Sequence, residues 1–175
     1  MRWCEADGVS VLRSVEYFDT RHPQRGWVQM RPLNHPREGA AAVTLDGSVY
    51  VIGGHDGTSY LSSVEVWSPS RNGGQRLDIS DTHWRPVSSL VQPRSSLAAV
   101  AVGNALVALG GYCGRAGSRL ASNEMWQPKG RDSKGGGARS QWQFINGMSC
   151  PRSDHAVVAA PDLVHTASRP HLHVL

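Results

Sequence analysis

The sequence predicts an all-β fold built from repeated four-stranded units. Two short apolar runs, residues 49–52 and 106–109, each end in a glycine pair, and the step from Gly53 to Gly110 is 57 residues. Apolar runs of this length bounded by glycine are typical of buried strands. Paired glycines let the backbone turn sharply and approach a neighbouring segment. A glycine-ended strand that recurs at a fixed distance therefore indicates a repeat fold.

Three other kinds of residue recur at nearly the same distance. Residues 7–16 also match residues 56–65 at seven of ten positions. The separation between each recurring glutamate and the tryptophan that follows it is 11, 19 and 18 residues, so insertions are confined to one connection, as in repeat arrays. The predicted structural markers are Gly53, Gly54, Gly110 and Gly111, the tryptophans Trp27, Trp84 and Trp142, the glutamates Glu16, Glu65 and Glu124, and Pro36, Pro93 and Pro151, each followed by an arginine.

Within each unit the strands follow one another in the same order. A strand of small residues, such as 40–45, leads through a two-residue turn into the glycine-ended strand. Asp46 and Gly47 suit that turn because both of its central residues need positive φ angles. A third strand, such as 64–67, alternates in polarity and is expected to be half-buried, and a fourth strand follows the tryptophan.

The pattern divides the chain into four segments. It starts in the middle of a repeat, and the last unit loses the pattern after Ala160. Hydrophilic inserts at residues 68–82 and 129–140 are expected to be mobile surface loops. The predicted segments are a partial unit at 1–30, full units at 31–89 and 90–147, and the start of a further unit with a divergent tail at 148–175.

This arrangement resembles the kelch repeat, in which about 50 residues form one blade of a β-propeller. The glycine pairs carry the resemblance, together with Glu65 and Trp67, Glu124 and Trp126, and the later tryptophans, Trp84 and Trp142. It implies a kelch-type β-propeller fragment, two full four-stranded blades flanked by two partial blades, similar to the kelch domain of BTB-kelch adaptor proteins. A closed propeller needs about 4 to 8 blades, so we expect further blades or chains to be needed for closure. A fragment, an imperfect gene model and one part of an assembly all remain open.

Composition excludes several classes of function. The net charge is +4, but the arginines are scattered, so no nucleic-acid partner is predicted. No apolar stretch approaches the roughly 18 residues of a membrane span. Cys4, Cys113 and Cys150 form no Cys-x-x-Cys pair, which favours reduced thiols and a cytoplasmic location. The eight histidines lack metal-ligand spacing, so neither a metal nor another cofactor is predicted.

One rim of the predicted blades gathers polar side chains, because the connection between blades and the link from second to third strand lie at the same end. In kelch adaptors this rim takes the protein partner, so the resemblance implies a partner-binding rim. Arginine pairs well with carboxylates, which favours an acidic protein or peptide; packing of the arginine stems on the next blade is the equally weighted alternative. The predicted rim residues are Arg37, Glu38, His55, Asp56, Tyr60, Arg94, Ser95, Ser96, Tyr112, Arg115, Arg152, Ser153 and Asp154.

The resemblance implies a non-enzymatic protein-interaction module, for example for substrate recognition by a cullin-type ubiquitin ligase adaptor, a role that needs a separate BTB-type domain. Actin binding and scaffolding are not distinguished from it. The alternative is part of a kelch-like propeller enzyme, an oxidase or a sugar isomerase, which should gather Tyr, His and Cys ligands or paired carboxylates around a central channel. No such set is evident. The glutamate that recurs in every unit favours a structural hydrogen bond over catalysis.

Overall fold

The computed structural model describes residues 2–3, 10–69, 83–114, 118–128, 140–161 and 163–167. Arg115, Cys4, the tail after Ala167 and most of the two inserts lie outside these residues. The strands are β1 (Arg2–Trp3), β2 (Val15–Phe18), β3 (Trp27–Gln29), β4 (Ala41–Leu45), β5 (Ser48–Ile52), β6 (Val64–Trp67), β7 (Arg85–Val87), β8 (Ala98–Val102), β9 (Ala105–Leu109), β10 (Asn123–Trp126), β11 (Gln143–Ile145), β12 (Ala156–Ala160) and β13 (Leu163–Ala167), with a 3₁₀ turn at Pro23–Arg25.

These strands form four antiparallel sheets in chain order. The opening sheet is β1-β2-β3, the first full blade β4-β5-β6-β7, the second full blade β8-β9-β10-β11, and the closing sheet β12-β13. In every sheet the neighbouring strands are consecutive in sequence. Two four-stranded blades flanked by two partial ones confirm the predicted fold class.

Two-residue turns join the first and second strands of the full blades. In the first full blade Leu45 pairs with Ser48, and the intervening Asp46 and Gly47 have φ angles of 50° and 73°. Both angles are positive, as the Asp-Gly sequence predicts for a hairpin turn.

The glycine pairs lie where one blade contacts the next. A Cβ atom built on Gly53 would collide with the carbonyl oxygen of Arg94, in the next blade. The N–H of Gly54 donates to that same oxygen at 2.9 Å, and the N–H of Gly111 donates at 2.8 Å to the carbonyl oxygen of Arg152, which precedes the closing sheet. Gly53 and Gly54 also have φ angles of 64° and 102°, which side-chain-bearing residues rarely adopt. The glycine pair is therefore the backbone junction between blades.

Apolar side chains fill the space between successive sheets. Alternate residues of β5 contact different clusters, Val51 on one side and Tyr50 and Ile52 on the other, because side chains alternate along a strand. The cluster that includes the opening sheet contains Val15, Met30, Leu33, Val51, Trp67 and Trp84. The cluster between the full blades contains Ala41, Leu45, Tyr50, Ile52, Val64, Val66, Leu90, Leu97, Leu106, Ala108, Trp126 and Trp142.

The tryptophans at the start of the fourth strand differ in burial. Trp84 and Trp142 are buried, and their indole N–H groups donate to the backbone oxygens of Arg31 at 3.0 Å and Ser88 at 2.9 Å. Trp27 is 47% exposed and packs against Phe18 with ring centroids 5.5 Å apart. Trp27 differs from the other two tryptophans because no sheet among the described residues covers that face of the opening sheet.

The third strand of the first full blade is more deeply buried than its alternating sequence predicts. All four residues of β6 are buried, including Glu65, which is 1% exposed. Both faces of the blade are covered by neighbouring sheets, so the half-buried expectation is wrong.

We expect Gly110→Ala to destabilise the protein more than Gly103→Ala. Both glycines have a φ of 55°, so each substitution carries the left-handed backbone cost of about 1–2 kcal/mol. A Cβ on Gly110 would lie 2.5 Å from the Arg152 oxygen, whereas one on Gly103 would meet no atom within 4 Å. The crowding adds about 1–3 kcal/mol, measurable by urea unfolding. Equal losses in the two variants would contradict the junction role.

His155 directly precedes β12, at the repeat position that Leu97 occupies before β8 in the second full blade. Neither of its ring nitrogens has a hydrogen-bond partner among the described residues. Burial, and then the charge of Arg152, lowers the pKa of the imidazole. The imidazole of His155 therefore binds a proton more readily in the unfolded chain than in the folded one. As a result, the free energy of unfolding of the protein falls as the pH drops through about 6.5, the ordinary pKa of histidine.

We expect His155→Leu to raise the melting temperature, with a gain that grows between pH 7 and pH 5. The apolar side chain removes both the unpartnered nitrogens and the protonation. His83→Leu, at an exposed histidine, is the control. A gain from His155→Leu that is independent of pH would contradict this account.

Candidate functional site

A buried ion pair joins an arginine to a glutamate inside each full blade. Arg37 Nη2 lies 3.0 Å from Glu65 Oε1, and Arg94 Nη2 lies 2.7 Å from Glu124 Oε1. The arginine side chains are 0% exposed, and those of the glutamates 2% and 0%. Burial lowers the pKa of the Arg37 guanidinium, and the hydrogen bond and charge of Glu65 oppose that shift. Each full blade therefore buries one positive and one negative charge in direct contact.

Each arginine also bridges the second and third strands of its blade. Its Nη1 donates to the carbonyl oxygen of the first residue of the glycine pair and to that of a serine just before the third strand. The acceptors and distances are Gly53 at 2.6 Å and Ser63 at 3.0 Å for Arg37, and Gly110 at 2.7 Å and Ser122 at 2.9 Å for Arg94.

Each glutamate in turn holds the connection that enters its blade. Glu65 Oε2 accepts the backbone N–H of Asn34 at 2.7 Å and its side-chain amide at 2.6 Å. Glu124 accepts the N–H of Val91 at 2.6 Å and that of Gln92 at 3.1 Å. The carboxylates therefore hold the connection between blades through hydrogen bonds to its backbone N–H groups.

This burial corrects part of the predicted rim. Arg37 and Arg94 cannot contact a partner at the surface, because their side chains are 0% exposed. Both are structural, but their guanidinium groups bond within their own blade, whereas the packing alternative placed them over the next one. Arg152 is partly buried, and Ser95 and Ser153 are buried at 9% and 7% exposure. The expected acidic partner loses the two guanidinium groups on which it was chiefly based.

Above the ion pairs, three ring side chains form a continuous row. His55 and Tyr60 have ring centroids 4.7 Å apart, and Tyr60 and Tyr112 5.9 Å apart. Tyr60 belongs to the first full blade and Tyr112 to the second. A Cβ on Gly114 would overlap the Tyr60 ring, so the ring lies close over the loop of the next blade. We call His55, Tyr60 and Tyr112 the aromatic row; it spans two blades.

Backbone bridges hold the aromatic row in place. Glu38 and His55 exchange two N–H···O bonds of 2.9 Å, and Ser95 and Tyr112 exchange bonds of 2.9 and 2.8 Å. Tyr112 also forms an isolated bridge with Arg119. His55 and Tyr112 are therefore hydrogen-bonded to the connections between blades that the buried glutamates hold.

The loop between His55 and Tyr60 is ordered by its own acidic residue. Asp56 Oδ1 accepts the backbone N–H groups of Ser59 at 2.7 Å and Thr58 at 2.8 Å. These bonds stabilise the carboxylate and lower the pKa of Asp56. Residue Asp56 therefore shapes the loop beside the aromatic row.

An open cavity of about 360 Å³ lies beside the same bridges. Its charged lining groups are the carboxylates of Glu38 and Asp154; the full lining is Glu38, Gly39, Ala40, Ser95, Ser96, Leu97 and Asp154. The structure thus brings four predicted rim residues, Glu38, Ser95, Ser96 and Asp154, to one concave surface.

The cavity follows a chain of backbone hydrogen bonds across three units. Ser96 N donates to Gly39 O at 2.7 Å, and Asp154 N donates to Ser96 O at 3.0 Å. All three residues hold the same repeat position and have left-handed φ angles of 59°, 49° and 51°. Non-glycine residues in this region are strained, and such residues concentrate at binding sites.

Sequence reasoning missed one residue of this surface. Arg119 is exposed, bridges Tyr112, and its Nε lies 3.2 Å from Ser153 Oγ. Its repeat position could have identified it, because Arg119 follows Tyr60 by 59 residues, the same step that separates Glu65 from Glu124. Because the residue type changes from tyrosine to arginine, the repeat pattern alone did not mark it.

Two chemical features are not found in the part of the chain that the structure describes. It contains no group of three or more His, Cys, Asp or Glu side chains that could hold a metal ion. It also contains no helix long and apolar enough to cross a membrane.

Four-stranded antiparallel sheets that stack through glycine junctions define an array of β-propeller blades. The family model of the Kelch motif matches residues 36–90 and 93–149, which together make up more than half of the sequence. The chain therefore belongs to the kelch-repeat family, as its markers predicted.

Named relatives agree with this assignment. Kelch-like protein 33 of Homo sapiens is 32% identical over 130 residues, covering 74% of this chain and 21% of that protein. Kelch-like protein 28 of Homo sapiens is 35% identical over 125 residues, covering 64% and 20%. The chain thus spans about a fifth of the length of these relatives. The solved structure of YjhT has a TM-score of 0.61 at 11% identity, over 78% of this chain and 35% of YjhT, which supports the fold alone.

We expect Arg94→Met to lower the free energy of unfolding by about 3–5 kcal/mol, because it leaves the Glu124 carboxylate buried and unpaired. Combining Arg94→Met with Glu124→Leu should cost less than the sum of the single substitutions, since both charges are then absent. Urea unfolding of the four proteins measures this coupling. Arg85→Met, at an exposed arginine in β7, is the control and should change stability by less than about 0.5 kcal/mol. Strict additivity would argue against the pair.

Proposed function

We propose that the chain is a protein-interaction module that binds a segment of another protein across the aromatic row and the adjoining cavity. The single observation that carries this proposal is the row itself, with rings from two blades held on paired backbone bridges. Tyrosine offers a large apolar surface and a hydroxyl while losing little side-chain entropy, which suits it to binding surfaces.

The charges around this surface favour a partner of mixed polarity. Glu38 and Asp154 are acceptors at the cavity, and Arg119 is a cation beside Tyr112. An acidic segment of the partner is therefore proposed only beside Arg119, because Arg37 and Arg94 are buried. Specificity would then come from the carboxylate of Glu38, beside His55, and the guanidinium of Arg119, beside Tyr112, which lie at opposite ends of the aromatic row.

Substrate recognition for a cullin-type ubiquitin ligase adaptor is the biological role we favour for this binding. Its support is the similarity to Kelch-like proteins and to a relative named Kelch repeat and BTB domain-containing protein F47D12.7 of Caenorhabditis elegans, 33% identical over 88 residues. The cytoplasmic location stays a prediction from cysteine usage; Cys113 and Cys150 are free thiols. The enzyme alternative would be supported by stoichiometric copper on the purified protein.

We expect Tyr60→Ala combined with Tyr112→Ala to abolish capture of protein partners that the wild-type chain enriches from cell extract, because the aromatic row then loses two of its three rings. Phe144→Ala is the control, since Phe144 is a 53% exposed aromatic residue on β11. Quantitative mass spectrometry of the captured proteins compares the three, and thermal melts confirm folding. Partners retained by the folded double variant would rule out this surface as the binding site.

A further inference from the structure

The cavity beside the aromatic row is lined by polar side chains from three successive units. Glu38 comes from the first, Ser95 and Ser96 from the second, and Asp154 from the third. In the order of the units, two hydroxyl groups lie between two carboxylates. The described lining contains no lysine, arginine or histidine. Its polar side chains therefore all accept hydrogen bonds, and none carries a positive charge.

The carboxylate of Asp154 makes no contact that would neutralise it. Asp154 is exposed, and no ion pair or side-chain hydrogen bond among the described residues involves its carboxylate. The cation Arg119 donates from Nε to the hydroxyl of Ser153 instead. The backbone does not require an acid at this position, because glycine and serine hold it in the other two units with similar φ angles of 59° and 49°. Nothing in the described fold therefore accounts for the charge of Asp154.

Glu38 supplies a second carboxylate without a paired charge. Its Oε1 lies 3.3 Å from Nδ1 of His55, and its side chain is 43% exposed. The backbone N–H of Gly57 donates to that same nitrogen at 3.1 Å. Because Nδ1 accepts this hydrogen bond, it carries no proton to donate to the carboxylate. Glu38 therefore lines the cavity as an anion.

A buried hydroxyl group between these carboxylates also has no partner. Ser95 is 9% exposed, and it lies beside Gly39, which lines the cavity as well. The backbone of Ser95 bonds to Tyr112, but its hydroxyl makes no hydrogen bond to a described residue. Buried polar groups are nearly always hydrogen-bonded. An unpaired hydroxyl at the wall of an acidic cavity therefore points to a ligand that donates hydrogen bonds.

We propose that the cavity binds an arginine side chain of the protein partner, held between the carboxylates of Glu38 and Asp154. This inference rests on the proposed binding function and specifies one residue of the bound segment. A guanidinium has five N–H donors in a planar fork and no acceptor, which matches acceptors that come from three units. A lysine ammonium carries its three donors on one atom and reaches fewer of them.

The size and position of the cavity suit a single side chain of a bound segment. Its volume of about 360 Å³ is near the lower end of the range for ligand sites, about 300–1,000 Å³. Backbone bridges join it to the aromatic row, because Glu38 bonds to His55 and Ser95 to Tyr112. A segment that contacts the row can therefore place one arginine in the cavity without leaving the surface.

Pools of short peptides that differ only at the central residue test this inference. The central residue is arginine, lysine, citrulline or glutamate, the flanks are random, and fluorescence anisotropy measures binding to the full chain. Citrulline keeps the shape of arginine but lacks its charge. We expect the arginine pool to bind at least about tenfold more tightly than the citrulline pool, in keeping with the strength of hydrogen bonds to charged groups. The net charge of +4 would favour the glutamate pool if the attraction were non-specific.

Two neutral variants locate the site. Asp154→Asn and Glu38→Gln each remove one carboxylate and should each abolish most of the preference for arginine. Asparagine tolerates a left-handed backbone, so Asp154→Asn should fold normally, which a thermal melt checks. The matched control is Asp46→Asn, at an exposed aspartate with a φ of 50° in the hairpin turn of the first full blade. This control should keep the wild-type preference.

Two results would overturn the inference: an arginine pool that binds no more tightly than the other pools, and a preference for arginine that survives both carboxylate substitutions. Should a variant fail to fold, ¹⁵N NMR of the wild-type chain decides the matter. The amide signals of Ser95 and Ser96 should shift with N-acetyl-arginine amide and stay in place with its citrulline analogue; equal responses would refute the site. Failure of the proposed function differs, because it appears as partner capture by the folded Tyr60→Ala, Tyr112→Ala variant.

Discussion

The buried arginine–glutamate pair is the constraint on which the rest of each blade depends. The arginine side chain bonds the ends of the second and third strands, and the glutamate bonds the incoming connection. Such a pair recovers its own desolvation cost only when its hydrogen bonds are nearly all satisfied, so it contributes more to a unique register than to net stability. Any shift of one strand would leave a charge unpaired in the interior. The ion pair thus selects one arrangement of three chain segments.

The proposed binding surface owes its rigidity to that interior. Glu38 is next in sequence to Arg37, and Ser95 is next to Arg94, so each bridge to His55 or Tyr112 begins one residue from a buried guanidinium. The aromatic rings therefore rest on backbone that cannot move without disturbing an ion pair. A surface organised before binding loses less conformational entropy when a partner docks.

Local features of the fold could be predicted from sequence, but features that depend on neighbours could not. Apolar runs, the Asp46-Gly47 turn and the recurring markers gave the strands and the blade order. The burial of Arg37 depends on Glu65, 28 residues away, and repeat spacing does not tell whether a recurring arginine points inward. The exposure of Trp27 depends on which sheet covers it, and Arg119 shares its place with a tyrosine. Periodicity identifies equivalent positions without giving their surroundings.

The left-handed backbone chain through Gly39, Ser96 and Asp154 separates the frame of the cavity from its chemistry. Its hydrogen bonds use only main-chain atoms, while the side chain at this position is absent in one unit, a hydroxyl in the next and a carboxylate in the third. Each unit can therefore present a different functional group at an almost unchanged place. Related proteins could acquire new ligands by single exchanges at this position, with the stacking of the blades left intact.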